Sequence, residues 1–196
     1  MRLTIKLLAK TVLATAIATQ LSACLPVIVG GAAVGGSMAT DRRSSGTYID
    51  DQTIELKASK KIVDNIGEAN IHLNVTSYNR NLLLTGEVGS EEYKAKAETV
   101  AKSLENVRSI TNELTVDENS KLTERNNDTY ITSKVKTRLI NADGKLANYT
   151  KVVTEAGVVY LMGLVTKQEA AQAVQIASET SGVLKVVKVF EYIDEK

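Results

Sequence analysis

The sequence predicts an α+β protein built from two tandem copies of one αββαβ unit, each a three-stranded mixed sheet with two helices on one face. Three observations carry this prediction. First, residues 51–88 align with 128–165 at a constant offset of 77 without a gap, and the match resumes after a one-residue deletion. Asp51 meets Asp128, Ile54 meets Ile131, Lys57 meets Lys134, Gly67 meets Gly144 and Val75 meets Val152. Leu84-x-Gly86-x-Val88 meets Leu161-x-Gly163-x-Val165, and Ala97, Ala101 and Val107 meet Ala173, Ala177 and Val183. Agreement sustained this far is the mark of a duplication. Second, apolar residues recur every four positions at the head of each copy. Third, each such stretch gives way to alternation, the two-residue period of a half-buried strand.

The elements follow in order. Ile54, Ala58 and Ile62, and likewise Ile131, Val135 and Leu139, form the buried stripe of an amphipathic helix. Ile71, Leu73 and Val75 alternate with His72, Asn74 and Thr76 on a strand. Asn79-Arg80-Asn81 and Glu155-Ala156-Gly157 read as hairpin turns before the returning strands Leu82–Val88 and Val158–Val165. Second helices run over Glu91–Leu104 and Gln168–Thr180, and final strands over Val107–Val116 and Val183–Ile193. The hairpin is antiparallel, and the β-α-β step is a right-handed parallel crossover. A copy of about 70 residues is near the lower limit for a lone core, so packing of the two copies on each other is expected to help.

The N-terminus has a different character. Arg2, Lys6 and Lys10 flank an apolar stretch ending at Leu21, the layout of a secretory signal and short of the roughly 20 apolar residues of a span. Leu21-Ser22-Ala23-Cys24 resembles a bacterial lipobox. That resemblance implies cleavage before Cys24, a diacylglyceryl thioether on its sulfur and an acylated new N-terminus. Leu25 follows the cysteine where an aspartate would favour retention at the inner membrane, which implies sorting to the outer membrane. The expected division is a signal at 1–23, a lipidated cysteine with an apolar glycine-rich tether at 24–48, copies at 49–117 and 128–195, and a linker at 118–127. The tether is apolar through Val27–Gly36 and too short to span a bilayer.

Composition removes several function classes. Of the 24 Lys and Arg, three lie in the signal, which leaves 21 against 23 Asp and Glu. A net charge of about −2 makes nucleic acid an unsuitable principal partner. With Cys24 lipidated and His72 the single histidine, neither a Cys/His zinc set nor a His-rich metal set is available. An all-carboxylate Ca²⁺ or Mg²⁺ site stays open, although no loop has EF-hand spacing. No nucleophile elbow, catalytic carboxylate pair or phosphate-binding glycine loop occurs, so no catalytic residue, resident metal or cofactor is assigned. His72 is expected on the outer face of the first sheet. Gly86 and Gly163 share one strand position and are expected to mark a bulge or a close backbone approach.

The αββαβ order, the strands LLLTGEV and VYLMGLV and the later strand with its V..V pattern resemble the BON domain. Two such copies behind a lipobox, with the segments at 39–55, 127–140 and 159–170, resemble the dual-BON outer-membrane lipoproteins. The resemblance implies a non-enzymatic, lipid-anchored protein that faces the periplasm and supports envelope integrity. It also implies partners: anionic phospholipid, the β-barrel assembly machinery and envelope proteins of the division site.

Helical geometry gives a candidate lipid-contact face. At about 100° per residue, Tyr130, Ser133, Lys134, Thr137 and Ile140 lie opposite the stripe of Ile131, Val135 and Leu139, with Arg138 at the edge. An aromatic, an aliphatic and cations together suit a surface that enters a headgroup layer. The matching face of copy one, Thr53, Leu56, Lys57, Lys60 and Val63, has no aromatic, so the expected contact is on copy two. In the family, an aromatic at the position of Tyr130 belongs to the lipid-contacting helix. The alternative is a protein-interaction scaffold with no lipid recognition beyond its acyl anchor.

Overall fold

A computed structural model describes residues 41–117 and 122–194, with side chains from 125 onward in the second stretch. The signal, Cys24 and the tether up to residue 40 lie outside the described residues.

In copy one, helix α1 (Ser45–Ile66) starts where Ser44 Oγ accepts the Thr47 N–H at 3.1 Å. It buries Ile54, Ala58, Ile62 and Ile66 on one stripe. Strands β1 (Ile71–Tyr78) and β2 (Asn81–Val88) pair antiparallel from Ile71↔Val88 to Tyr78↔Asn81. Their two-residue turn, Asn79-Arg80, has φ of 52° and 64°, the primed geometry whose twist matches a hairpin. Helix α2 (Glu91–Lys102) is capped by Ser90 and turns Ala97 and Ala101 inward. The final strand is interrupted. Both β3 (Ser109–Asn112) and β4 (Thr115–Val116) pair parallel with β2 in one unbroken register. At the break, Asn112 donates to Lys94 O at 3.1 Å and its Oδ1 accepts the Leu114 N–H. Leu114 is thereby turned into the core. The expected third strand of copy one is therefore a strand in two pieces.

Copy two repeats the plan with helix α3 (Leu122–Ala142), a short helix α4 (Gly144–Tyr149), strands β5 (Thr150–Glu155) and β6 (Val158–Val165), helix α5 (Lys167–Ser178) and strand β7 (Lys185–Tyr192). Helix α4 occupies the place of a three-residue 3₁₀ turn at Glu68–Asn70 and adds a helix to the two expected. Helix α5 opens on a capping box between Thr166 and Glu169. Strand β6 is central, antiparallel to β5 and parallel to β7. Gly86 and Gly163 are sites of close backbone approach, as expected. A Cβ there would stand 2.0 Å from His72 O and 2.2 Å from Tyr149 O.

Each sheet carries its helices on one face and uses the other against its twin. Leu82, Leu84 and Val88 of β2 point to the helices of copy one, and Val159 and Leu161 of β6 to those of copy two. The intervening residues form a third apolar layer, in which Tyr78 and Leu83 meet Tyr160, Met162 and Leu164. This layer explains why β2 and β6 are almost continuously buried instead of alternating. Burial pushes both phenols, Tyr78 and Tyr160, up to about 12. Polar bonds frame the layer: Lys151 to Glu55 at 2.8 Å, Asn79 to Glu191 at 2.7 Å and Asn74 to Glu155 at 2.7 Å.

Two boundaries differ from expectation. Helix α3 starts at Leu122, inside the stretch expected to be linker. Within the stretch expected to be tether, Arg42 and Arg43 bind opposite copies. Arg42 makes a two-pronged pair with Glu169 at 2.6 and 2.7 Å, donates to Leu164 O at 2.8 Å and stacks on Tyr149 at 3.7 Å. Arg43 pairs with Asp41 at 2.6 Å and Asp51 at 2.8 Å, and lies 4.1 Å over Tyr78.

Candidate functional site

The outer face of α3 is exposed where the sequence places it. Ile131, Val135 and Leu139 are buried against β5 and β6, and this fixes the rotation of the helix. Tyr130 is then 63% exposed and Ile140 60% exposed. Ser133 and Thr137 are also exposed, and each donates its hydroxyl to the carbonyl four residues earlier, Thr129 and Ser133 respectively.

The two cations do more than face solvent. Lys134 Nζ sits 5.1 Å over the Tyr130 ring and donates to Ser181 O. Arg138 donates to Glu179 O at 2.6 Å and to Thr180 Oγ1 at 3.3 Å. Glu179–Ser181 follows the C-terminus of α5, where carbonyls left without helical partners favour positive charge. Lys134 and Arg138 therefore hold this turn while leaving one flank of Tyr130 cationic. Ile140 and Ser133 occupy the opposite flank. Tyr130 and Ile140 are about 15 Å apart along the axis, so the face is a ridge and not a pocket.

Three features escaped the sequence reading. Leu184, 80% exposed, is a further large apolar side chain in the loop that also carries Ser181. A groove of about 520 Å³ runs between the copies, lined by His72, Asn74 and Thr76 on one side and by Arg125, Ser133, Lys136 and Glu155 on the other. Its cations stand on the flank of α3 away from Arg138.

The third is the matched pair Asp51 and Asp128, both buried. Asp51 accepts the N–H groups of Asn79 and Arg80 at 2.9 and 2.7 Å, and Asp128 accepts those of Ala156 and Gly157 at 2.9 and 2.8 Å. Each carboxylate thus closes the hairpin turn of its own copy. A charged residue in phase with a buried stripe, identical in both repeats, was the available signal. His72, expected on an outer sheet face, does lie on the side away from the helices. That side faces copy two, and His72 is half-buried.

Among the described residues no helix is long and apolar enough to cross a membrane.

The family model of the BON domain matches residues 50–118 and 127–194. The outer membrane lipoprotein DolP of Haemophilus influenzae is 39% identical over 176 residues, covering 89% of this chain and 91% of the relative. A protein described as a 21 kDa hemolysin, from Actinobacillus pleuropneumoniae, is 30% identical over 78% of this chain and 79% of its own length. The osmotically inducible protein Y of Escherichia coli is 29% identical over 78% of this chain and 77% of its own.

Proposed function

The chain belongs to the BON domain family and carries two copies of that domain, and from this premise we propose that it is a lipid-anchored outer-membrane protein whose second copy binds anionic phospholipid. Cys24 carries the anchor in this reading, and the domains face the periplasm. The role is non-catalytic: the protein supports envelope integrity, accumulates at division sites and acts with the β-barrel assembly machinery. The likeness to an outer membrane lipoprotein supports the compartment.

The observation that carries lipid recognition is the exposure of Tyr130 and Ile140 on one helix face beside Lys134 and Arg138. The ring and the aliphatic side chain enter the headgroup layer, and the cations meet phosphate. Two acyl chains or more hold the protein far more firmly than this face does, at about 0.8 kcal/mol per buried methylene. The face therefore sets lipid preference and orientation. A second reading, a protein-docking scaffold, is favoured by Ile49 and Leu56, 61% and 74% exposed on α1.

The test is co-sedimentation of the unacylated Cys24→Ser chain with phosphatidylglycerol vesicles. Tyr130→Glu is expected to lower binding at least fivefold with unchanged circular dichroism, while Leu56→Glu leaves it unchanged. Equal binding by Tyr130→Glu and the parent removes the lipid reading. Loss in Leu56→Glu alone moves the contact to copy one.

A further inference from the structure

We infer that His72, Glu87 and Glu155 form a site for a divalent transition-metal cation of the zinc class, shared between the two copies. The nitrogen and oxygen atoms that these side chains offer all lie within 4.8 Å of one another. His72 and Glu87 are direct cross-strand partners on β1 and β2, so one imidazole and one carboxylate rise side by side from the first sheet. Glu155 ends β5 of the second copy and comes to them across the inter-copy face. Three ligands at 2.0–2.1 Å from a tetrahedral cation stand about 3.3 Å apart, within reach of small side-chain rotations from the observed cluster.

The surroundings suit this use. Asn74 donates to Glu155 Oε2 at 2.7 Å and holds that carboxylate in place, as outer partners of metal ligands do. Thr85, 1% exposed, has a hydroxyl without a hydrogen-bond partner among the described residues. It is paired with Asn74 and lies two residues before Glu87 on β2, on the same sheet face as the His72–Glu87 pair. This buried polar atom is placed to bond a water in the fourth coordination position. The groove lined by His72, Asn74 and Glu155 supplies an entry path.

The donor set also discriminates. One imidazole with two carboxylates favours zinc-like cations over Mg²⁺, which prefers oxygen ligands and retains its waters. With two ligands from copy one and one from copy two, the cation would act as a clasp on the arrangement of the two BON domains.

The experiment titrates ZnCl₂ and, separately, MgCl₂ into the detergent-solubilised, chelator-stripped full chain by calorimetry. It is repeated with His72→Ala and Glu155→Gln, with visible absorption of added Co²⁺ as a second readout. One saturable Zn²⁺ equivalent is expected, weakened at least tenfold in each variant, with tetrahedral Co²⁺ bands that vanish in His72→Ala. His72 is half-buried, so its variant stays folded by circular dichroism and decides the matter even where Glu155→Gln does not fold. Absence of saturable Zn²⁺ binding, or binding that His72→Ala leaves unchanged, overturns the site. Neither result bears on vesicle binding through Tyr130.

Discussion

The two copies share a plan and differ in what they are tied to. Both close their hairpin with a buried aspartate from the first helix, at the same repeat position. In copy one that aspartate also takes the Ser77 hydroxyl at 2.6 Å and Arg43 at 2.8 Å. The first copy is thus bound to the segment just before its first helix, and its Asp51 sits at the centre of the network. In copy two the first helix presents Tyr130, Lys134 and Ile140 outward. Duplication produced two equivalent frames, and a few side chains set them apart: Arg43 joins the buried aspartate of the first, whereas Arg42 grips the second through Glu169 and Tyr149, away from its aspartate.

The largest effect is expected where that difference is most buried. Asp51→Ala should destabilise by about 3–5 kcal/mol, because it leaves Ser77 Oγ and two turn N–H groups without their acceptor and takes from Arg43 one of its two carboxylates. Asp128→Ala should cost about 2 kcal/mol, since its hydrogen-bond partners among the described residues are two turn N–H groups. Urea unfolding of both variants checks the inequality. Equal losses would mean that the arginine adds nothing to the aspartate.

A smaller contrast separates the neighbouring arginines. Arg43 is almost covered, whereas Arg42 and Glu169 are each about a quarter exposed. Arg43→Ala is expected to cost about 2–3 kcal/mol and Arg42→Ala about 1 kcal/mol. Combining Arg43→Ala with Asp51→Ala should be markedly sub-additive, since both break one network.

The finest contrast is in pH. The hydrogen bond from Arg42 holds the Glu169 carboxyl below its ordinary value of 4.5. Its contribution is present above that value and is lost as pH falls through the folded pKa. Glu155 behaves oppositely. Burial, then the charge of Glu87, raises its pKa, so its contribution is present below 4.5 and is lost as pH rises through the folded pKa. In chelator, Glu155→Gln should therefore gain stability relative to the parent between pH 4 and 7, and Arg42→Ala should lose less than the parent on acidification. Thermal unfolding across that range reads both. Parallel curves for Glu155→Gln and the parent would show that Glu155 has no raised pKa.

Much of the fold was legible in the residues. The stripes Ile54-Ala58-Ile62 and Ile131-Val135-Leu139 are set by helical period, and burial followed them. The same phase placed Tyr130 and Ile140 outward, because a helix rotated to bury one stripe has no further freedom. The break at Glu113-Leu114 was not legible: it depends on Asn112 reaching Lys94 and Glu98 across the fold. The hold of Lys134 and Arg138 on the turn after α5 was hidden for the same reason, since those partners are more than 40 residues away.

Sequence alone determined what is periodic or local: the repeat, the αββαβ order, the hairpin turns, and the chemical character of the α3 outer face. Tertiary structure decided what depends on approach between distant strands. It set the two sheets back to back, brought His72, Glu87 and Glu155 together from three strands, and sent Arg42 and Arg43 to different copies. The reason is physical. Period and turn chemistry act over a few residues of one chain segment, whereas a shared site exists only after apolar faces such as Leu83 and Met162 have closed against each other.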